Sequence, residues 1–317
     1  MRVLILCSGT KGILSPFIKE QMDSIAKLGS VELSLFQVKK RGISGYLSHY
    51  RPMLKTIAKF KPDIIHAHYG LSGLLANLQR KVPVITTFHG SDVNLPHVLK
   101  WSRWAYWLSA ESVFVEKGMM QKFRKHKDCS VIPCGVDTLT FHYVPVEEAR
   151  KKLNLNEKGI YILFSSVIDN PVKNYSIAME SCNFVEKRLG QKVSLIELKG
   201  FSRELVNLYM NASDCFLLDS VSEGSPQVIK EAMACNCPIV ATNVGDIDWI
   251  IGETKGCYIT SHKVEDITDN LIRAIHFAET VGRTKGRDRI LALELDTFSI
   301  ARRIIEIYKK SISKQIS

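Results

Sequence analysis

The chain lacks any apolar run long enough to cross a membrane as a helix, which takes about 20 residues. It has no low-complexity tract, and 45% of its 317 residues are hydrophobic, which argues against disorder. Its eight cysteines contain no Cys-x-x-Cys pair. Cys235 and Cys237 stand two apart with no His or Cys cluster beside them, so no zinc site is expected. Most of the cysteines sit in apolar runs, as Cys7 does after Val3-Leu4-Ile5-Leu6. They read as reduced core residues of a cytosolic chain. The opening Met1 to Cys7 is too short for a signal peptide and reads as a first strand. Gly9-Thr10-Lys11-Gly12 does not match Gly-x-Gly-x-x-Gly, which argues against a dinucleotide oxidoreductase. Neither a known nucleic-acid module nor a basic–aromatic strand pattern is present, so no nucleic-acid partner is expected.

Acidic residues are scarce in one half only. Residues 1–140 hold 20 Lys and Arg against 9 Asp and Glu, whereas residues 141–317 hold 23 of each. The whole net charge of +11 therefore lies in the first half. Such asymmetry points to an anionic partner there, such as an anionic bilayer surface or a phosphorylated acceptor.

Apolar runs of four to six residues alternate with longer amphipathic stretches, the rhythm of a doubly wound parallel sheet. Strands are expected at 3–7, 31–38, 63–66, 82–86, 112–115 and 130–132. The rhythm restarts after a polar stretch at 144–152, with strands at 160–165, 193–198, 214–218 and 238–241 and helices near 174–189, 203–212 and 226–234. A last amphipathic helix begins at Thr297, with Ile300, Ile304, Ile305 and Tyr308 at helical spacing. Length and rhythm give an α/β chain of two domains, 1–143 and 144–296, with helix 297–317 packing back toward the first. Ligands of open parallel sheets bind beyond the carboxyl ends of the strands, and both sheets are expected to face a central cleft.

The most informative stretch runs from Ser222 to Ala234, Ser-Glu-Gly-Ser-Pro-Gln-Val-Ile-Lys-Glu-Ala-Met-Ala. Ser225 is a natural N-cap and Pro226 suits the first helical position. The amides of that first turn favour an anion or sugar hydroxyls. Glu231, four residues after Gln227, shares its helix face, and its carboxylate can accept two hydrogen bonds from a ribose diol. Glu223 can hold sugar hydroxyls. A capped core helix bearing two solvated glutamates is the plainer alternative.

This stretch resembles the donor motif of family 4 of the retaining glycosyltransferases, which have the GT-B fold: Glu, seven residues, Glu, then Ala-Met-Ala. Further segments resemble the family in order along the chain: Asp63 to Gly70 with His66-Ala67-His68, Thr86 to Asp92 with His89-Gly90-Ser91-Asp92, Val131 to Asp137, and Ala241 to Asp246. The resemblance implies two Rossmann-like domains and a nucleotide-diphosphate sugar as co-substrate, with no cofactor. It implies that Glu231 holds the ribose and that Glu223 with Gly224, Ser225, Pro226, Gln227 and Val228 holds donor sugar and phosphate. His89 is implied beside the anomeric carbon, and Gly12 lets the backbone approach the diphosphate. Lys173 matches the family's diphosphate lysine. The family's accompanying Arg is absent, since Val167 or Ile168 stands in its place; Asn170, Asn174 or backbone amides are the substitutes open to the chain. His89, Lys173 and Glu223 are thus the expected catalytic residues, with His66, His68 and Asp92 on the acceptor side.

His66 and His68 are read as pointing to opposite sides of their strand, one toward the acceptor and one into the core. Asp92 would orient His89 or contact an acceptor hydroxyl. No metal is expected. The Asp246-x-Asp248 spacing follows a donor-domain strand and is read as chance. Trp101, Trp104 and Leu108 share a helix face that, with Lys100 and Arg103, suits either a bilayer interface or packing on its own domain. The expected activity is transfer from a nucleotide sugar to a glycan or lipid-linked acceptor in bacterial surface polysaccharide synthesis, in the cytoplasm or at the inner face of the membrane. A nucleotide-sugar isomerase of the same fold and a non-catalytic nucleotide-sugar-binding protein are the alternatives.

Overall fold

A computed structural model describes residues 1–9, 14–40, 42–123, 129–165 and 171–316. The described chain forms two compact units, Met1–Gly135 with Thr297–Ser317 and Val136–Asp296. The division falls earlier than residue 143 because Val136 already belongs to the second unit, where its N–H donates to the Leu295 carbonyl at 2.9 Å.

The first unit is built on strands β1 (Arg2–Ser8), β2 (Glu32–Val38), β3 (Ile64–His68), β4 (Val84–Phe88), β5 (Glu111–Phe114) and β6 (Cys129–Val131). They lie in the order β2-β1-β3-β4-β5-β6, and each neighbouring pair is parallel. The second unit has β7 (Ile160–Phe164), β8 (Val193–Glu197), β9 (Cys215–Leu218), β10 (Ile239–Thr242) and β11 (Cys257–Thr260). Their order is β11-β10-β9-β7-β8, again all parallel. Both units are Rossmann-like, and in each the chain reverses its winding beside the first strand, between β1 and β3 and between β7 and β9. Such switch points open a crevice at the carboxyl edge.

The inner strands read as continuous apolar runs because helices cover both faces. Every residue of β3, β4, β5, β7, β9 and β10 is buried, whereas edge strands β2 and β8 are half-exposed. Strand β11 was not expected from the sequence. It is four residues long, and its partner helix Val264–Thr280 supplies the more legible pattern, with Ile267, Leu271, Ala274 and Ile275 buried. The polar stretch at 144–152 contains a helix, Val146–Lys152. Its Glu147 and Glu148 lie in the first turn and Arg150, Lys151 and Lys152 in the last, the order that suits the helix dipole.

The chain's last helix, Thr297–Ile316, belongs to the first unit. Ile300, Ala301, Ile304, Ile305 and Tyr308 are buried. Arg303 donates to the Val131 carbonyl at 2.8 Å, which ties the helix to β6.

The second unit also contains a buried ion pair remote from the carboxyl edge of its sheet. Arg150 Nη2 donates to both Asp214 oxygens at 2.9 Å, and its Nε donates to the Ala212 carbonyl. Asp214 also accepts from the Tyr161 N–H at 2.8 Å. Removing one partner strands a buried charge, at a cost of about 3–5 kcal/mol. Asp214→Ala is therefore expected to lower the denaturant midpoint of the second unit by that equivalent, read in urea unfolding. An unchanged midpoint would contradict the assignment.

Candidate functional site

Two groups of polar residues gather at the carboxyl edges, one in each unit. In the second unit, β9 ends at Leu218 and the chain passes through Asp219 to Pro226 into the helix Gln227–Ala234. Ser225 does not cap this helix, and Pro226 sits at the N-cap rather than inside the first turn. The Ser225 hydroxyl is engaged elsewhere: Lys230 Nζ donates to its Oγ at 2.7 Å. Lys230 is fully buried, so an oxygen acceptor within reach matters more than a cap.

Glu231 is buried, with its side chain 5% exposed, and Arg203 Nη1 meets its Oε1 at 2.7 Å. Arg203 opens the helix Arg203–Ala212, which is capped by the Ser202 hydroxyl. Its guanidinium lies 4.5 Å from the centroid of Phe141. Burial raises the Glu231 pKa, and the charges of Arg203 and Lys230 act against that rise. Nothing in the spacing links Arg203 to Glu231, which lie on separate helices. Sequence reasoning therefore missed this cation.

Glu223 is held in the same way. Lys173 Nζ donates to Glu223 Oε1 at 2.5 Å, with side chains 15% and 21% exposed. Lys173 ends a 3-10 turn at Pro171–Lys173, and Val221 N–H donates to the Val172 carbonyl at 3.0 Å. The two loops are thus joined by backbone as well as charge. Asn174, the next residue, adopts a left-handed φ of 44°. Its Nδ2 lies 3.3 Å from Asp219 Oδ1 and 3.2 Å from His262 Nδ1. His262 Nδ1 also pairs with Asp219. Asp219 is fully buried, and its Oδ2 and the hydroxyls of Ser165 and Ser220 have no hydrogen-bond partner among the described residues. These oxygens lie at the ends of β7 and β9, beside the switch point. Asp219 and His262 carried no motif signal.

Gly224, from the same loop, is buried against Gly245. A Cβ on Gly245 would come within 2.1 Å of the Gly224 carbonyl oxygen, and Gly245 has a φ of +62°. Gln227 and Val228 are half-buried in the first turn. Gly12, Val167, Ile168 and Asn170 lie outside the described residues.

In the first unit the two histidines of β3 are both buried, and their rings stack on one side of the strand with centroids 4.5 Å apart. The expectation of opposite sides is wrong, because residues i and i+2 of a strand share a face. His66 Nδ1 lies 2.6 Å from Tyr308 Oη, and its Nε2 lies 2.8 Å from Thr87 Oγ1. His68 Nδ1 lies 3.0 Å from His89 Nε2, and His89 Nδ1 lies 3.8 Å from Cys134 Sγ. His89 packs between Phe17 and Tyr69 at centroid distances of 4.9 and 4.7 Å. Neither strand histidine faces solvent, and the His89 that His68 touches is half-buried.

Asp92 does not touch the His89 ring. Its Oδ1 accepts from the His89 and Gly90 N–H groups and its Oδ2 from the Gly70 N–H, all at 3.0 Å. It fixes the turn after β4 to the start of the helix Gly70–Asn77. Asp92 also lines a cavity of about 800 Å³ with Ser8, Val38, Lys39, Lys40 and Tyr69. Tyr69 has a φ of 72°, strained for a bulky residue, and its N–H donates to the Thr87 carbonyl at 2.9 Å. The helix Pro96–Leu108 packs on its own unit through Ser102, Ala105 and Tyr106, leaving Trp104 and Trp107 exposed.

Burial pushes the His66 pKa down to about 3. Burial lowers His68 well below its ordinary value, with His66 and His89 adding to the effect. Unfolded histidine titrates near about 6.5. Below that value the unfolded chain binds protons that the folded unit refuses, so stability falls with pH by about 1.4 kcal/mol per pH unit per histidine. Asp92 opposes them. Burial raises its pKa to about 6, so the folded unit gains a proton before the unfolded chain does. Two histidines outweigh one aspartate, and the first unit is expected to lose stability as pH falls from about 6 to about 4. His66→Gln should largely flatten that slope, read by denaturant unfolding at several pH values. An unchanged slope in the variant would contradict the assignment.

Comparison with known proteins agrees with this architecture. Residues 3–139 match Glycosyltransferase Family 4 and residues 160–276 match Glycosyl transferases group 1. The putative teichuronic acid biosynthesis glycosyltransferase TuaC of Bacillus subtilis (strain 168) is 27% identical over 272 residues, 74% of this chain and 69% of TuaC. The sucrose-phosphate synthase of Thermosynechococcus elongatus superposes with a TM-score of 0.78 at 15% identity, covering 99% of this chain and 100% of the other. Anabaena HepE in complex with UDP-glucose superposes with a TM-score of 0.73 at 16% identity, covering 98% and 100%. The chain belongs to the family 4, or group 1, glycosyltransferases and has the GT-B fold.

Proposed function

We propose that the protein transfers a sugar from a nucleotide-diphosphate sugar to a glycan or lipid-linked acceptor, with retention of configuration and without a metal ion. The observation that carries this reading is the pairing of two carboxylates with two cations at the carboxyl edge of the second unit, Glu223 with Lys173 and Glu231 with Arg203. Glu231 would meet the ribose diol. Glu223 would meet hydroxyls of the donor sugar. Charge builds on the diphosphate as the glycosyl group leaves through an oxocarbenium-like state. Lys173 and the first-turn amides of Gln227–Ala234 would stabilise that charge, and Gly12 would let the backbone near it. In the first unit, His89 would stand by the anomeric carbon, held by His68. Asp92 would shape the acceptor side through the turn it fixes.

TuaC is named for teichuronic acid biosynthesis, and HepE is described in complex with UDP-glucose. These support a nucleotide-sugar donor and a role in bacterial surface polysaccharide assembly, in the cytoplasm or at the inner face of the membrane. The missing arginine near Val167 favours a second reading, an isomerase or a non-catalytic binder of nucleotide sugars. Product formation in the presence of EDTA separates them, because a transferase requires acceptor, an isomerase turns over without it, and a binder does neither.

Lys173→Ala is expected to lower kcat by about 100-fold, with a smaller effect on donor KM. Glu231→Ala should instead raise donor KM by about tenfold or more. Full activity in both variants would contradict the donor site.

Arg203→Gln should raise donor KM, with the defect deepening as pH falls. Without the guanidinium the buried Glu231 protonates at a higher pH. A pH-independent defect would show that Arg203 acts only through packing.

A further inference from the structure

Asp219 and His262 stand at the carboxyl edge of the second unit, and the donor motif gives neither of them a task. Asp219 directly follows β9 and is fully buried. His262 lies two residues beyond β11, with its side chain 45% exposed. Its Nδ1 meets Asp219 Oδ1, and Asn174 Nδ2 reaches the same oxygen at 3.3 Å. Both supporting turns are pinned. Ser220 N–H donates to Thr242 Oγ1 at 3.0 Å, and that hydroxyl donates to the Ser220 carbonyl at 2.9 Å. Ser261 N–H donates to Asp266 Oδ2 at 2.7 Å.

The hydrogen bond at one imidazole nitrogen decides what the other is left to do. The polar contacts of His262, with Asp219 and with Asn174, are both at Nδ1, so Nε2 is the nitrogen left for a ligand. In the protonated ring both nitrogens donate, Nδ1–H to the buried carboxylate and Nε2–H outward. The charges at this edge call for that form when an anion arrives. Lys173, which precedes Asn174, is paired with Glu223, so with Asp219 one cation stands against two carboxylates. In the turn of His262 itself, Lys263 and Glu265 are exposed and opposite in charge, and Asp266 is held by Ser261. A diphosphate placed beside Lys173 therefore lacks positive charge, and the family's arginine near Val167 is absent. The hydroxyls of Ser165 and Ser220 also lie at this edge with no partner among the described residues. Buried polar groups are ordinarily paired, so the edge has hydrogen bonds to give.

We propose that His262, oriented by Asp219, is a phosphate-binding residue of the donor site. On arrival of the nucleoside diphosphate it takes up a proton from solvent and donates from Nε2 to a phosphate oxygen, supplying the positive charge that the missing arginine would bring. The proton returns to solvent when the diphosphate leaves. The proposal rests on the donor-site reading of the second unit and adds to it a residue from outside the motif.

Calorimetric titration of the full chain with UDP, GDP, ADP and TDP near neutral pH, in two buffers of different ionisation enthalpy, tests this. The diphosphate that binds should do so with more proton uptake than in the His262→Asn variant, since ligand and proton binding are linked. The ligand's own protons are common to both chains, so the difference belongs to His262. Asn places its amide nitrogen where Nδ1 stands and keeps a donor for Asp219, but it has nothing at the place of Nε2. His262→Asn should therefore keep the parent's melting temperature, lose the extra uptake and bind the diphosphate about tenfold or more weakly. Its affinity for the matching nucleoside should be unchanged. Parent affinity in the variant, equal proton uptake by the two chains, or an equal loss for the nucleoside would overturn the proposal and leave His262 a structural tie of Asp219. A parent chain that binds none of the four diphosphates would overturn the donor reading along with it.

Discussion

Parallel strand pairing is the constraint on which the rest of this structure depends. It puts every strand's carboxyl end on one edge of its sheet, and it requires helices on both faces to return the chain. Apolar strand interiors then leave little room for polar side chains except at that edge. Glu223, Glu231 and Lys173 of the second unit, and His89 and Asp92 of the first, all follow strand ends. Burial gives those positions their chemistry. A carboxylate such as Glu231, almost out of water, needs compensation, and Arg203 in contact with it and the charge of Lys230 supply it.

The first unit handles polarity differently. His66, His68 and His89 form a stack of rings, and burial disfavours the charged form of the two strand histidines, His66 and His68. Tyr308 closes one end of the stack from the last helix of the chain and Cys134 approaches the other. Asp92 is spent on three backbone N–H groups, which fixes the turn bearing His89. Position and rigidity, rather than a titrating pair, are what this part of the molecule provides.

Much of this was legible in the sequence because its signals are local. Continuous apolar runs mark the inner strands, and the segment 222–234 shows its helix by spacing, while its two glutamates stand out through the resemblance to the family's donor motif. What escaped was non-local or depended on competition. Arg203 meets Glu231 only after two helices have packed. Ser225 looks like a cap until Lys230, buried beside it, claims its hydroxyl. His66 and His68 stack on one face because a two-residue interval returns a strand to the same side, which the expectation of opposite faces overlooks. Strand β11 is a half-buried edge strand with polar Thr260 at its end and so lacks the continuous apolar run of the inner strands, whereas the helix Val264–Thr280 that packs on it is plainly amphipathic.

The central claim is that the second unit holds a nucleotide sugar through Glu231. Thermal unfolding of the full chain against UDP-, GDP-, ADP- and TDP-sugars, with EDTA present, tests it most directly. The account predicts that sugars of one nucleotide raise the melting temperature, since a ligand bound only by the folded state stabilises it, and that Glu231→Ala loses that rise while remaining folded. No shift with any of the four at about a hundred times an ordinary donor Kd, where roughly 2.7 kcal/mol of stabilisation is due, would contradict the claim.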